Sequence, residues 1–288
     1  MHAPRLCHWR RRLLTRGALL IALLAGLAPG SAMPQAPAEP VYTVSVVPQF
    51  PAPELARAWL PILERLGQQV GAKFELKVAR DIPSFEQELR LGRSDFVYLN
   101  PFHQVRARRA QGYVPLVRDQ ELLTGILVVR RGDPIQDRKA LAGQAVAFPA
   151  PNAFGASLLI RAQLDEVDRI RIEPIYARTH TNAYRQTLAG KTAASGGLRA
   201  TLEREPAEVQ AGLRILYETP GSPPHPLSAH PRVPQALQDR VQAAWLQLAK
   251  DPALQAQFAA IPMPSPVKAD HARDYAPLER LKLDRYAE

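Results

Sequence analysis

From Tyr42 to Ser195, short β-rich runs alternate with stretches of helical spacing, and the alternation fails only once. That pattern limits the fold more than any other feature of the chain. Tyr42 to Val47 is followed by Pro53 to Val70, whose Leu55, Trp59, Ile62, Leu63, Leu66 and Val70 recur at helical intervals. Phe74 to Ala79 repeats the strand signal, and Ser84 is a candidate cap for a helix through Leu91. Asp95 to Leu99 is a strand again, and Pro101 suits the first turn of the next helix. Strands separated by helices imply parallel βαβ units.

The break comes at Tyr113 to Arg118 and Thr124 to Arg130, two strands joined by a short polar link. It marks a crossing into a second α/β series. Ala145 to Phe148, Ile172 to Ala177 and Thr192 to Ser195 are its strands, and Gly155 to Leu164 and Thr181 to Ala189 its helices. Leu213 to Glu218 is predicted to be the return crossing and Gly221 to Pro234 to be irregular. Gln235 to Lys250 and Pro252 to Ala260 are predicted as helices that pack back on the first lobe. The expected class is α/β, with residues 39–122 plus 222–288 in one lobe and 123–221 in the other. Two crossings leave a cleft at the carboxyl ends of both sheets, where ligands of open parallel sheets bind.

The amino terminus stands apart from that body. Arg5, Arg10, Arg11, Arg12 and Arg16 precede an apolar run from Gly17 to Ala28, followed by small residues at Gly30, Ser31 and Ala32. This is the pattern of a secretory signal, and the run is short of the ~20 residues a membrane span needs. Residues 1–38 are therefore read as a signal peptide and linker, with cleavage between Ala32 and Ala38, and the protein as periplasmic. The only cysteine, Cys7, lies in the basic head, so the processed chain has no disulfide or thiol nucleophile. The leader's five arginines account for half of the net charge of +10. What remains is mildly basic without a Lys/Arg block, which disfavours nucleic acid and suits a small anion.

Candidate site residues sit at the predicted strand ends. In FPAPNAFGAS the prolines hold the chain extended, Asn152 is placed to cap a helix, and Ala153, Phe154 and Gly155 form its first turn. First-turn N–H groups have no partner within the helix, and the helix dipole adds positive potential there, so the point can seat an anion or simply face water. Tyr98 and Asn100 close a strand in the first lobe, with Tyr98 either at the ligand or in the core; Gln49 closes the first strand in the equivalent position. Thr179, His180 and Asn182 lie at a helix start, where His180 either donates to an oxyanion or faces solvent. Ser195, Gly196 and Gly197 permit close backbone approach. The remaining histidines form no metal set, and no HExxH, GxSxG or phosphate loop is present, so catalysis and a cofactor are not expected.

Four segments, taken in order, resemble one family. They are VVPQFPAPELARAWLPILERLGQQVG, LRLGRSDFVYLNPFHQVRARRAQGYVPLVRD, LAGQAVAFPAPNAFGASLLIRAQL and THTNAYRQTLAGKTAASGG. The resemblance is to the phosphate/phosphite/phosphonate substrate-binding proteins of ABC transporters, the PhnD-like group. It implies a type II periplasmic binding fold that closes by hinge motion on a small oxyanion and hands it to a membrane permease. By matching positions, Tyr98 contacts the ligand, Asn152 to Gly155 forms the oxyanion cradle and His180 is a donor. The chain departs from the family in lacking a run of hydroxyl residues at Asn152-Ala153-Phe154 and an acid in Gly190-Lys191-Thr192. An aminophosphonate's ammonium would therefore lack its usual partner, and a smaller oxyanion or a different ligand fits better. The alternative partner is a membrane sensor, a histidine kinase or cyclase, to which the same clamshell would signal. A monomer is expected.

Overall fold

A computed structural model describes residues 39–287. The expected signal and linker, 1–38, lie outside the described residues.

The chain builds two mixed sheets. The first runs β2 (Lys73–Val78), β1 (Val41–Val46), β3 (Phe96–Tyr98), β10 (Pro226–Ala229), β4 (Val114–Asp119) and β11 (Pro266–Lys268). The second runs β7 (Glu173–Tyr176), β6 (Ala145–Phe148), β8 (Ala194–Leu198), β5 (Gly125–Arg130) and β9 (Leu213–Glu218). β1 is parallel to β2 and β3, and β6 is parallel to β7 and β8, as βαβ connections require. The strands that follow each crossing, β5 and β10, instead run antiparallel to their neighbours. The fold is thus two-lobed α/β, with one sheet per lobe.

Two expectations need correcting. Gly221 to Pro234 is not irregular throughout, because β10 lies inside it and inside the first sheet, between β3 and β4. Pro226 stands at the strand's first position, where a missing N–H is tolerated. Leu213–Glu218 is an edge strand of the second sheet rather than a crossing. The chain passes between sheets through residues 120–124 and 219–225, and these segments lie side by side: Leu123 N–H donates to Ser222 O at 2.8 Å and Ser222 N–H to Leu123 O at 3.0 Å.

The first core lies under α1 (Ala52–Val70), whose Leu55, Trp59, Ile62, Leu63, Leu66 and Val70 are all buried. Trp59 packs on Tyr98 at 5.1 Å and on Trp245 at 5.7 Å, the latter from the helix Gln235–Leu248. The left-handed Gly71, at φ 67°, ends α1 and turns the chain into β2. Two further helices, α2 (Ile82–Arg90) and α3 (Pro101–Gln111), follow β2 and β3. α2 is capped by Asp81, which accepts from Ser84 N–H at 2.9 Å; Ser84 is not the cap. α3 is capped by Asn100, which accepts from His103 N–H at 2.7 Å.

In the second lobe the helical stretch after β6, residues 154–167, begins and ends with π-type turns. Its first turn lies on the sheet so closely that glycine is required opposite it. A Cβ on Gly196 would overlap Ala156 O and meet the Phe148 ring at 2.6 Å. Gly196→Ala is therefore expected to lower stability by about 1–3 kcal/mol through overpacking, measured as a lower urea midpoint at unchanged slope. A wild-type midpoint would show that this close approach is not limiting.

Candidate functional site

The parallel strands of both sheets point their carboxyl ends at one cleft. Pro48 and Gln49 follow β1, Ala79 to Asp81 follow β2, Asn100 follows β3, Pro149 to Pro151 follow β6, and Arg178 and Thr179 follow β7. All of them line a cavity of about 1460 Å³. Ala153, Phe154, Gly155 and Ala156 line it too, so the start of helix 154–167 is part of its wall.

The local geometry of that start is specific. Ser157 N–H and Leu158 N–H both donate to Ala153 O, at 2.8 and 3.1 Å. They are the first amides of the helix with an acceptor inside it, and those of Phe154, Gly155 and Ala156 come before the ladder. Side chains here are small or turned into the core. Phe154 is buried against Phe102, Leu158 and Tyr275.

Asn152 does not cap this helix. The cap position is Ala153, without a side-chain bond, and Asn152 reaches across to the other lobe. Its Nδ2 donates to Glu86 Oε1 at 2.7 Å, and its backbone O accepts from Asn100 Nδ2 at 3.0 Å. Glu86, on α2, also meets His103 Nε2 at 2.7 Å. Burial works against the charge of Glu86, but the His103 bond and charge and the Asn152 amide outweigh it and hold its pKa below the usual carboxylate range. These contacts join the lobes beside the helix start. A second junction lies at Arg204, which pairs with Glu54 at 3.0 Å, donates to Ala260 O and covers the Phe50 ring at 4.2 Å.

The other sequence candidates fall in different places. Gln49 lines the cleft, and its amide donates to His225 Nε2 at 3.0 Å. His180 lines the cleft at the first residue of the helix His180–Leu188, with its Nδ1 3.3 Å from Thr201 Oγ1. Thr179 caps that helix, and Asn182 turns its Nδ2 back to Ala177 O at 3.1 Å. Tyr98 is off the wall: it is buried, and its hydroxyl donates to Ile261 O at 3.0 Å. It supports His225, whose ring stacks on it at 5.5 Å. Ser195 lies wholly buried in β8 beside Gly196, away from the wall.

Sequence reasoning missed His225, Glu86, Arg178 and Glu205. His225 sits in the proline-flanked run read as irregular, and only recognition of β10 would have placed it. Glu86 carries no local signal, since its partners lie on α3 and on the far lobe. Arg178, on the wall, holds a left-handed φ of 72°, a strained value of the kind that clusters at ligand clamps. Glu205 is buried on the wall and accepts from Thr181 Oγ1 at 2.5 Å.

Electrostatically the wall is restrained. Its arginines Arg80, Arg178 and Arg204 are matched by Glu54, Asp81 and Glu205. Burial pushes the His180 pKa down to about 4 and, with the charges of His103 and His180 adding to it, the His225 pKa down to about 3. Both imidazoles are neutral at pH 7, and the Gln49 amide donating to His225 Nε2 requires the same protonation.

Convergent strand ends, a helix start in the wall and two paired crossing segments are the architecture of the two-lobed periplasmic binding proteins. The chain belongs to a family it matches over residues 44–275, "ABC transporter, phosphonate, periplasmic substrate-binding protein". Among solved structures, it is similar to PhnD1 from Prochlorococcus marinus in complex with methylphosphonate, with a TM-score of 0.76 at 14% identity over 85% of this chain and 98% of that one. It is also similar to a binding protein component of an ABC phosphonate transporter from Pseudomonas aeruginosa, with a TM-score of 0.75 at 13% identity, covering 86% and 87%. A Xanthomonas citri protein bound to ATP gives a TM-score of 0.72 at 17% identity, covering 86% and 99%. Among the described residues no helix is long and apolar enough to cross a membrane.

A group kept neutral by burial is protonated more readily in the unfolded chain. Stability is therefore expected to be complete above about pH 6.5 and to fall as pH drops towards the folded-state values of His180 and His225. Urea titrations across that window should show a shallower fall in His225→Gln than in wild type. Parallel curves would remove His225 from the acid response.

Proposed function

We propose that the protein captures a small oxyanion, phosphate- or phosphonate-like, in the cleft and delivers it to an ABC permease from the periplasm. The lobes divide at 122/123 and 221/222, and closure is a hinge motion of residues 120–124 and 219–225. The observation that carries this reading is the start of helix 154–167, where the N–H groups of Phe154, Gly155 and Ala156 precede the ladder on the wall of the cleft. Such groups bind an oxyanion through hydrogen bonds and the helix dipole, and they need no net positive charge around them. That matches a wall whose arginines are balanced and whose histidines are neutral.

His180 and Gln49 are the side chains assigned to the ligand from the two lobes, with Asn100 and Asn152 holding the lobes together beside it. The methylphosphonate bound by PhnD1 of Prochlorococcus marinus is of the proposed chemical class. The cavity exceeds the ~300–1,000 Å³ usual for small-ligand sites, which leaves room for further closure on a small anion.

The test is a thermal-shift screen of the processed protein against methylphosphonate, phosphate, phosphite and sulfate. A ligand that binds only the folded state must raise its melting temperature. At least one phosphorus oxyanion is expected to do so, and no shift with any of the four would overturn the reading. By calorimetry His180→Ala should weaken binding by about 1–3 kcal/mol, the cost of a lost hydrogen bond to a charged group. Tyr98→Phe should lower stability instead, because its hydroxyl serves Ile261 O. Unchanged affinity in His180→Ala would take that side chain out of the site.

A further inference from the structure

The family match ends at residue 275, and the chain continues past it. After β11 the last segment turns across the molecule as short helices His271–Tyr275, Ala276–Leu281 and Leu283–Arg285. Its root is fixed to the first lobe. Asp274 is buried and accepts from Arg118 Nη2 at 3.1 Å and from Arg273 Nε at 2.8 Å. Burial opposes the charge of Asp274, but the arginine hydrogen bonds prevail and hold its pKa far below the usual range. Tyr275 donates to Pro224 O at 2.9 Å, within the returning hinge segment, and Arg109 of α3 lies 4.0 Å from Glu279 and 3.6 Å from Asp284.

The tip of the same segment is bound to the second lobe, and specifically to helix 154–167. Tyr286 Oη lies 3.0 Å from Asp165 Oδ2 and 2.9 Å from Glu166 Oε1, so its one proton is shared between the two carboxylates. Arg161 Nη1 donates to Tyr286 O at 2.7 Å, and Arg285 pairs with Glu166. Between root and tip, Tyr275, Leu278, Leu283 and Tyr286 share one buried cluster with Phe102 and Val105 of α3 and with Phe154 and Leu158 of helix 154–167. Phe154 is also a residue of the cleft wall.

We propose that residues 271–287 form a strap, a non-covalent connection between the lobes beyond the Asn152–Glu86 and Arg204–Glu54 contacts, and that Tyr286 is a positioning residue for the wall of the cleft. The two covalent crossings allow the lobes to swing. The strap adds contacts to both, so opening the cleft requires either breaking the Tyr286 contacts or moving the helix they hold. Its ligand-free state is accordingly held nearer the closed form than the crossings alone would hold it. A segment that merely covers an apolar patch would add to stability and leave the closing equilibrium alone.

The structural half of this proposal stands without the assignment of the ligand, whereas its effect on binding rests on the reading given under Proposed function. The experiment compares wild type, Tyr286→Phe and Tyr286→Ala by small-angle scattering without ligand and by stopped-flow binding of methylphosphonate. Tyr286→Phe keeps the ring and removes the donor to Asp165 and Glu166, so it stays informative if Tyr286→Ala does not fold. A larger ligand-free radius of gyration in the variants is expected. So is a faster release of methylphosphonate, about tenfold in Tyr286→Phe, the effect of losing one hydrogen bond to a charged group. Wild-type radius and release rate in both variants, or in Tyr286→Phe alone if the other is unfolded, would overturn the strap. If wild-type protein binds no methylphosphonate, the choice of ligand fails and the scattering comparison alone decides the strap.

Discussion

A helix start whose first amides precede any internal acceptor is stable only where water, a cap or a ligand satisfies them. In this protein no side chain caps the start of helix 154–167, and the residue placed to do so, Asn152, is committed to Glu86 of the other lobe. Much of the surrounding structure keeps that start in position. Gly196 lets it lie on the sheet, Gly125 leaves room for Gly155 O, and Leu123 and Leu198 close over Gly155. Between β6 and that start the chain turns at Pro151-Asn152, where Ala153 N–H donates to Ala150 O at 3.3 Å.

Recognition by backbone amides, as proposed, is consistent with the muted charge of the cleft. Of the three arginines on the wall, Arg80 pairs with Asp81 and Arg204 with Glu54, while Arg178 is exposed on it. Neutral imidazoles at His180 and His225 fit the same pattern, since each offers one donor and one acceptor with no charge to desolvate. The polar links that join the lobes, Asn100 to Asn152 O and Asn152 to Glu86, lie next to the helix start.

Much of the architecture was legible in the sequence because periodicity is local. The spacing of Leu55, Trp59, Ile62, Leu63, Leu66 and Val70 defines a helix face whatever it packs on. The single failure of alternation at Tyr113 to Arg130 coincides with the passage of the chain from one sheet to the other. What escaped was set by distant segments. β10 is only four residues long, begins with proline and is buried on both faces, so it shows neither period nor propensity. Tyr98 is diverted from the cleft by Trp59 beside it, His225 stacked on it and Ile261 O accepting its proton. Asn152 has the local chemistry of a cap, and only the arrival of Glu86 from α2 draws it elsewhere.

The seat proposed for the ligand is the amide hydrogens of Phe154, Gly155 and Ala156. Titrating nitrogen-15-labelled protein with methylphosphonate while following those three resonances tests it directly. Downfield proton shifts and slowed exchange at residues 154–156, saturating with the binding curve, are the expected result. Binding that moves other resonances while these three keep their ligand-free shifts and exchange rates would contradict it.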